Sequence, residues 1–446
     1  MSKKNKIYKP RPVSGFPEWL PEVRMIEQQW MDHIRKIFES YGFCSIETAA
    51  VEELDAINAK GGDGGADVDK EIYVLERLHK DESDKEARLT LHFDQTVPLA
   101  RYTAQNFNDL TFPFKRYQMQ KVWRGERPQA GRFREFYQCD IDVINVDSLP
   151  IYFDAEMPAV MWEILSSLPG MENEKIQIRI SNRKILIGLL ETLGIDNITE
   201  VTRIIDKLEK IGDGAVNTLL REHGVDEEKR TKILGLAHIS SLDGSFMGDV
   251  EAKLGVHGDT MAEGLRELKF VMDHLAHLPK GSILADLSIV RGLDYYTGTV
   301  YETVFADDPT YGSICSGGRY DDLASSYINK ALPGVGISIG LSRLFDRLYR
   351  QQKFDLSRKS PADILMVLPN EAMRVKALET AGILRARGYK VEMYHAPQKL
   401  KKQLSYAEKK GISFVWFPPF EDDQNHEIKN MSTGEQEKAA PEDWTK

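Results

Sequence analysis

Period-two alternation is clearest between Phe114 and Ile144. In the run FKRYQMQKVW, Arg116, Gln118, Gln120 and Val122 share one face with Arg124, while Tyr117, Met119, Lys121 and Trp123 share the other. The run EFYQCDIDVI sets Phe136, Gln138, Asp140 and Asp142 against Tyr137, Cys139, Ile141 and Val143 in the same way. Two alternating runs around a Gly/Pro-bearing connector predict a long antiparallel hairpin. Elsewhere the period is mostly helical. Val23, Ile26, Trp30, Ile34, Ile37 and Phe38 predict an amphipathic helix over 22–41, closed by Gly42, with a short strand over 43–48. LTLHFDQTVPLARY, 89–102, reads as a strand entering a helix, with Asp94 or Thr96 placed to cap it and Pro98 in its first turn. A helix containing Pro158 is expected within 147–170, and a strand over 175–180. From 183 to about 279 every apolar pattern is helical, which predicts a helical insertion between β-rich stretches. Strand–turn–strand texture returns in SILADLSIVRGLDYYTGTVYETVF, and PGVGISIGLSRL, 333–344, reads as a glycine-rich strand entering a helix. From Ser360 a β-α-β-α-β pattern with glycine-ended connections predicts a small parallel α/β domain, with a frayed polar end over 435–446.

Length and charge narrow the class. A chain of 446 residues has room for two or three domains and a large core. No apolar run reaches the ~20 residues of a membrane helix. MSKKNKIYKPRP is basic but lacks the apolar stretch of a secretory signal. A net charge of −10 argues against blanket nucleic-acid affinity and leaves room for a local basic face. Cys44, Cys139 and Cys315 match no metal spacing and read as reduced, buried cytosolic thiols.

The candidate chemistry gathers on the hairpin. Its connector packs Arg124, Glu126, Arg127, Arg132 and Arg134 around Pro128 and Gly131, a density suited to bidentate recognition of phosphate. The acidic stripe beside it suits a cationic group, and Asp94 is a candidate second ligand for an ammonium. The turn 291–298 brings Arg291 together with Tyr295 and Tyr296, although two tyrosines at a turn are more commonly packing. Gly317 and Gly318 permit a close backbone approach, or simply a hairpin turn. The alternating glycines of 334–340 leave a flat strand floor for a planar ring, with Arg343 placed to stack on it or bind its phosphates. GGDGG at 61–65 reads as a mobile loop, because no strand-to-helix switch surrounds it. The lysines 399, 401, 402, 409 and 410 mark a solvated helix face or a phosphate-contacting edge.

Taken together, these blocks resemble the histidyl-tRNA synthetases, a class II aminoacyl-tRNA synthetase family, over nearly the whole chain. WRGERPQAGRFREF resembles the arginine-rich loop of motif 2, and the glycine strand ending in Arg343 resembles motif 3. RGLDYY at 291–296 and SGGRYD at 316–321 resemble the two signatures peculiar to the histidine enzymes, and DQTVPLARY matches a third block. The fold this implies is α/β with an α+β catalytic core: an antiparallel class II sheet flanked by helices, a helical insertion, and a C-terminal parallel α/β anticodon-binding domain. The boundaries expected are 1–182 and 281–355 for the two parts of the core, 183–280 for the insertion and 360–446 for the last domain.

The resemblance also implies roles. Arg124 would hold the α-phosphate of ATP, with Arg291 on its other side; these two are the implied catalytic residues. Glu126 and Arg132 would place the triphosphate and adenine, with Phe136 a further ATP contact and Arg343 at the γ-phosphate end. Asp94, Thr96 and Gln138 would fix the amino and carboxylate groups of histidine. Asp142 and Tyr296 would read its imidazole, with Arg291 and Tyr295 alongside and Gly317, Gly318 and Tyr320 as the wall. ATP and Mg²⁺ are the implied cofactors, without a metal site made of protein side chains alone. L-Histidine and the acceptor stem and anticodon of its tRNA are the implied partners of a cytoplasmic homodimer with no membrane association. Three positions depart from the family pattern: Ala49 in place of the motif 1 proline, Ser342 in place of an acidic residue before Arg343, and His92 in place of an arginine. Two alternatives stay open. A regulatory paralogue, such as that of ATP phosphoribosyltransferase, would sense histidine without catalysis. A class II enzyme for threonine or proline would use another pocket.

Overall fold

A computed structural model describes residues 8–58, 71–78, 88–255, 258–290, 296–321, 324–419 and 424–446. GGDGG, Arg291 and Tyr295 lie outside the described residues. The chain divides into two compact units, Met1–Pro17 with Trp30–Gln351 and Glu18–Gln29 with Gln352–Lys446. No helix among the described residues is long and apolar enough to cross a membrane.

The first unit is built on a nine-stranded mixed sheet. Its strands are β1 (Cys44–Ser45), β5 (Phe114–Trp123), β6 (Glu135–Ile144), β7 (Ile176–Asn182), β8 (Ser240–Ser241), β9 (Ile283–Asp286), β10 (Thr299–Phe305), β11 (Cys315–Tyr320) and β12 (Gly334–Ile339). They lie in the order β1-β5-β6-β12-β11-β10-β7-β9-β8. Six neighbouring pairs are antiparallel, and β1–β5 and β7–β9 are parallel. A small antiparallel sheet adds β2 (Val51–Glu53), β3 (Val74–Leu75) and β4 (Leu89–Leu91). The predicted hairpin is therefore present, but both its faces are largely covered. Tyr117, Cys139, Ile141 and Val143 are buried on one, and Arg116, Gln118, Asp140 and Asp142 on the other. The strand expected over 43–48 shrinks to two residues, and Cys44 is exposed rather than buried.

Helices cover the sheet where the period-3.6 patterns placed them. Helix Pro21–Ser40 buries Trp30, Ile34, Ile37 and Phe38. It stops at Gly42, whose φ of 77° lets the Phe43 amide turn back to the carbonyl of Phe38. Helix Tyr152–Ser167 keeps Pro158 within it. Its buried Asp154 receives the Arg319 guanidinium at 2.6 Å and the Thr299 hydroxyl at 2.6 Å. Arg319 is thus a structural tie, and SGGRY, 316–320, lies within β11 and is not a hairpin turn. The stretch 183–280 is helical as expected, save for β8, which pairs with β9. In it, Gly188 and Gly264 let helices Arg183–Thr192 and Asp259–His274 touch backbone to backbone.

The second unit carries β13 (Ile364–Met366), β14 (Val391–Met393), β15 (Phe414–Phe417), β16 (Glu427–Asn430) and β17 (Gln436–Lys438), in the order β14-β13-β15-β16-β17. The first three strands are parallel, as predicted. The last two add an antiparallel edge, so the terminus is ordered where fraying was expected. Trp444 supplies the reason. It is buried against Phe414, Trp416 and Tyr389, and this apolar contact holds the polar segment down.

Candidate active site

The hairpin register sets the site. Arg116 pairs across from Asp142, Gln118 from Asp140, Gln120 from Gln138, and Val122 from Phe136. Gln95, buried just before helix Thr96–Gln105, donates from Nε2 to the carbonyls of Gln120 and Gln138 at 3.0 and 3.1 Å. Gln118 and Gln120 donate to the Thr48 hydroxyl and carbonyl, both at 2.9 Å. Asp94, one residue before the N-cap Gln95, accepts the Val97 amide at 3.2 Å and so satisfies a first-turn amide of the helix.

A buried charge cluster lies at the inner end. Arg116 is wholly buried and its Nη2 pairs with Asp142 Oδ2 at 2.6 Å. The Tyr320 hydroxyl donates to Asp142 Oδ1 at 2.9 Å. Burial pushes the Asp142 carboxyl up to about 6 and the Asp140 carboxyl up to about 7, against the pull of Arg116, and Asp94 is raised by burial as well. Asp94 stands near enough to raise both of the others. Among the described residues, several atoms here have no hydrogen-bond partner: Arg116 Nε and Nη1, Asp140 Oδ1, Gln138 Oε1 and Gln95 Oε1. Buried polar atoms are rarely left unpaired, so orphans gathered on one face mark where a polar ligand completes the network.

The glycines serve this cluster differently from the flat floor expected of them. A Cβ on Gly336 would lie 2.0 Å from Asp142 Oδ1, and one on Gly334 would lie 2.3 Å from the Tyr320 ring. These positions house the carboxylate and the phenol and are not open to a ligand ring. Gly318 likewise makes room for Tyr296, whose ring would be 2.8 Å from a Cβ there. Gly317 lies against the β12 backbone, with Gly336 O 2.1 Å from its would-be Cβ.

The arginine loop lies at the other end of the hairpin. The Arg124 guanidinium sits 4.3 Å from the Phe93 ring centre and 5.2 Å from that of Phe136, and its Nε donates to the Phe93 carbonyl at 3.3 Å. Stacked in this way it is oriented before any ligand arrives. Among the described residues neither of its Nη groups takes a hydrogen-bond partner. Arg132 is exposed and pairs with Glu126 at 3.5 Å. Both stand near enough to Arg343 to shift it, while burial holds that guanidinium below its ordinary range. Arg343 lies 5.0 Å from the Tyr311 ring centre and donates to the Tyr311 carbonyl. Arg134 Nε donates to the Glu126 carbonyl at 3.1 Å, and Arg127 is exposed like Arg132.

Of the residues singled out from sequence, Asp94, Gln138, Asp142, Tyr296, Gly318 and Tyr320 gather on the β6–β12–β11 side. Arg124, Glu126, Arg132, Phe136 and Arg343 gather around the loop. Thr96 is the first residue of its helix. Sequence reasoning passed over Arg116, Gln95, Thr48, Phe93 and Tyr311. Arg116 had a usable signal, since it shares the period-two face of the acidic stripe once the register is fixed. The others reach the site only through long-range contacts.

The comparisons with known proteins agree on one family. The family model for histidyl-tRNA synthetase matches residues 15–344, and that for the anticodon binding domain matches 363–445. A histidine–tRNA ligase of Thermobifida fusca is 53% identical over 98% of this chain and 99% of its own length. One from Micrococcus luteus is 46% identical, covering 97% of this chain and 95% of its own. The crystal structure of histidyl-tRNA synthetase from Nostoc sp. PCC 7120 superposes with a TM-score of 0.86 at 38% identity, covering 98% of this chain and 97% of the other. With matches of this extent over both parts, the chain belongs to the histidyl-tRNA synthetase family, the histidine–tRNA ligases.

Proposed function

We propose that the chain charges tRNA with L-histidine in two steps, through a histidyl-adenylate, as a cytoplasmic homodimer. The observation that carries this is the pairing, on one hairpin, of an acidic pocket with a stacked guanidinium, the pocket partly unsatisfied and the Nη groups unengaged among the described residues. In the first step the histidine carboxylate attacks the α-phosphorus of ATP, the bond to the β-phosphate oxygen breaks, and pyrophosphate leaves. In the second the terminal ribose hydroxyl of the tRNA attacks the carbonyl carbon, giving up its proton, and AMP leaves. Two anions must meet in the first step, so fixed positive charge is the main contribution asked of the protein. Arg124 holds the α-phosphate, and Arg132, Glu126, Phe136 and Arg343 hold the remainder of ATP. Arg291, outside the described residues, is assigned to the opposite side of the α-phosphate by resemblance. The donor set suits Mg²⁺ brought by ATP: the arginine loop offers one carboxylate, Glu126, so phosphate and water oxygens would supply most ligands. The ion would add positive charge against the phosphates.

Asp142, held from behind by Arg116 and Tyr320, accepts an imidazole N–H, and Tyr296 lines the other side. Asp94, Thr96 and Gln138 take the amino and carboxylate groups. A side chain without a ring N–H would leave the remaining acceptor capacity of the buried Asp142 carboxylate unused, and that is where selectivity arises. Residues 360–446 contact the anticodon, with the exposed lysines of helix Leu400–Lys410 as candidate phosphate contacts. A histidine-sensing regulatory relative would have no use for the arginine loop, and the retention of Arg124, Arg132 and Arg343 favours the enzyme.

Amino-acid-dependent ATP–pyrophosphate exchange with Mg²⁺ tests the reading across all twenty amino acids. Exchange with histidine alone is the expected result. Exchange with another amino acid would sink the pocket assignment, and histidine binding without exchange would favour the regulatory reading. Gly336→Ala is a second test. Its methyl group would collide with the Asp142 carboxylate, so KM for histidine should rise by about tenfold or more, while KM for ATP stays within about twofold. Equal changes in both constants would argue against Asp142 as the imidazole contact.

A further inference from the structure

The tip of the arginine loop is fastened to a carboxylate that neither the family signatures nor the proposed ATP contacts include. Gln129 and Arg132 exchange backbone hydrogen bonds at 3.1 and 2.9 Å, closing a tight turn. Between them, Gly131 donates its amide to Asp346 Oδ2 at 3.0 Å, across 215 positions of sequence. Asp346 is 3% exposed and lies on helix Leu341–Arg350, one turn beyond Arg343. The same oxygen accepts Arg350 Nε at 2.6 Å, which fixes the carboxylate in place. Gly131 has φ +68°, and a Cβ there would lie 2.5 Å from the Tyr311 hydroxyl, which itself donates to the Arg343 carbonyl at 2.8 Å. The turn therefore fits its seat only as glycine, and its amide points at Asp346. A second bond fastens the base of the loop to the same helix, where Tyr137 N donates to Ser342 Oγ at 2.9 Å.

We propose that Asp346 is a positioning residue for ATP: by holding the Gly131 amide it fixes the turn from which Arg132 projects, so that Arg132 and Arg343 face the nucleotide as a set. Among the described residues, the exposed Arg132 side chain has only a 3.5 Å pair with Glu126 to order it, so its placement is set chiefly by its backbone. A charge-assisted bond from a buried carboxylate is a strong means of setting that backbone. The proposal rests on the reading of Arg132 as an ATP contact.

Pyrophosphate exchange on the full chain, with separate ATP and histidine titrations, tests it together with hydrogen exchange of the loop amides. Asp346→Ala should raise KM for ATP about tenfold and leave KM for histidine within about twofold. Asp346→Asn, which keeps an acceptor for the Gly131 amide, should recover most of that loss. Amides of 129–133 should lose protection in Asp346→Ala and keep it in Arg132→Ala. Asp346→Ala added to Arg132→Ala should raise KM for ATP no further, because the two act through one contact. Parallel rises in both KM values, additive effects in the double variant, or unchanged loop protection would each overturn the proposal. If Arg132→Ala alone leaves KM for ATP unchanged, the reading of Arg132 fails. Asp346 then positions no ATP contact, even where its own variant loosens the loop.

Discussion

Arg124→Ala is expected to lower histidine-dependent pyrophosphate exchange by about 10²–10³-fold, the usual loss when one preorganised donor to developing charge is removed. The guanidinium lies against the rings of Phe93 and Phe136 and is tied by Nε to the Phe93 carbonyl, and among the described residues its Nη edge takes no hydrogen-bond partner. A planar fork placed in this way can meet two phosphate oxygens with little further ordering. Lysine keeps the charge but neither the stack nor the fork, so Arg124→Lys should recover only a small part of the loss. The check is kcat and KM for ATP in exchange assays, with thermal unfolding as a control. A change of only a few-fold in kcat/KM would show that Arg124 does not engage the α-phosphate.

The second large effect is expected at Arg116, and it depends on pH. This wholly buried guanidinium is the main opposition to burial at both Asp140 and Asp142. Arg116→Met removes it, and both folded-state carboxyls rise further above their unfolded values. Groups raised in this way contribute stability that is complete below the unfolded carboxyl range and is lost as pH rises through the folded value. In the native chain that loss runs from about pH 4 to 6–7, the positions of these two carboxyls. In Arg116→Met the window extends to higher pH, because buried charge is then uncompensated. At pH 8 the variant should be less stable than the native chain by about 3–5 kcal/mol, shrinking toward pH 5 where the carboxyls are protonated in either case. Histidine affinity should fall as well, since a protonated Asp142 is a poor acceptor for an imidazole N–H. Denaturant unfolding and calorimetric histidine binding between pH 5 and 8 would measure both. A stability difference independent of pH would mean that Arg116 acts through packing and not through its charge.

Much of this was legible in the chain itself. The hairpin and its register-compatible faces follow from period-two alternation. Helix Pro21–Ser40 follows from a period-3.6 stripe, and its end from one glycine. The arginine loop, the acidic stripe and the helical stretch 183–280 are local patterns, and local patterns are what a sequence states directly. Even so, the expected fraying of 435–446 was wrong, because polar composition says nothing of one tryptophan finding a distant core.

By itself, then, the sequence determined which residue types lie close together along each element, and through the blocks RGLDYY and SGGRYD it determined the family. Only the tertiary structure decided what those residues face. The glycines of β12 could be read as open floor until Asp142 and Tyr320 were found occupying the space beside them. Arg116 could be read as one more polar position until the pairing of β5 with β6, and the cover around them, made it a buried counter-charge. Asp346 could be read as a helix-surface aspartate until the loop of a strand pair some two hundred positions earlier came to rest on it. The physical reason is the same in each case. Periodicity fixes direction within one element, whereas burial, charge compensation and steric room are properties of contacts between elements.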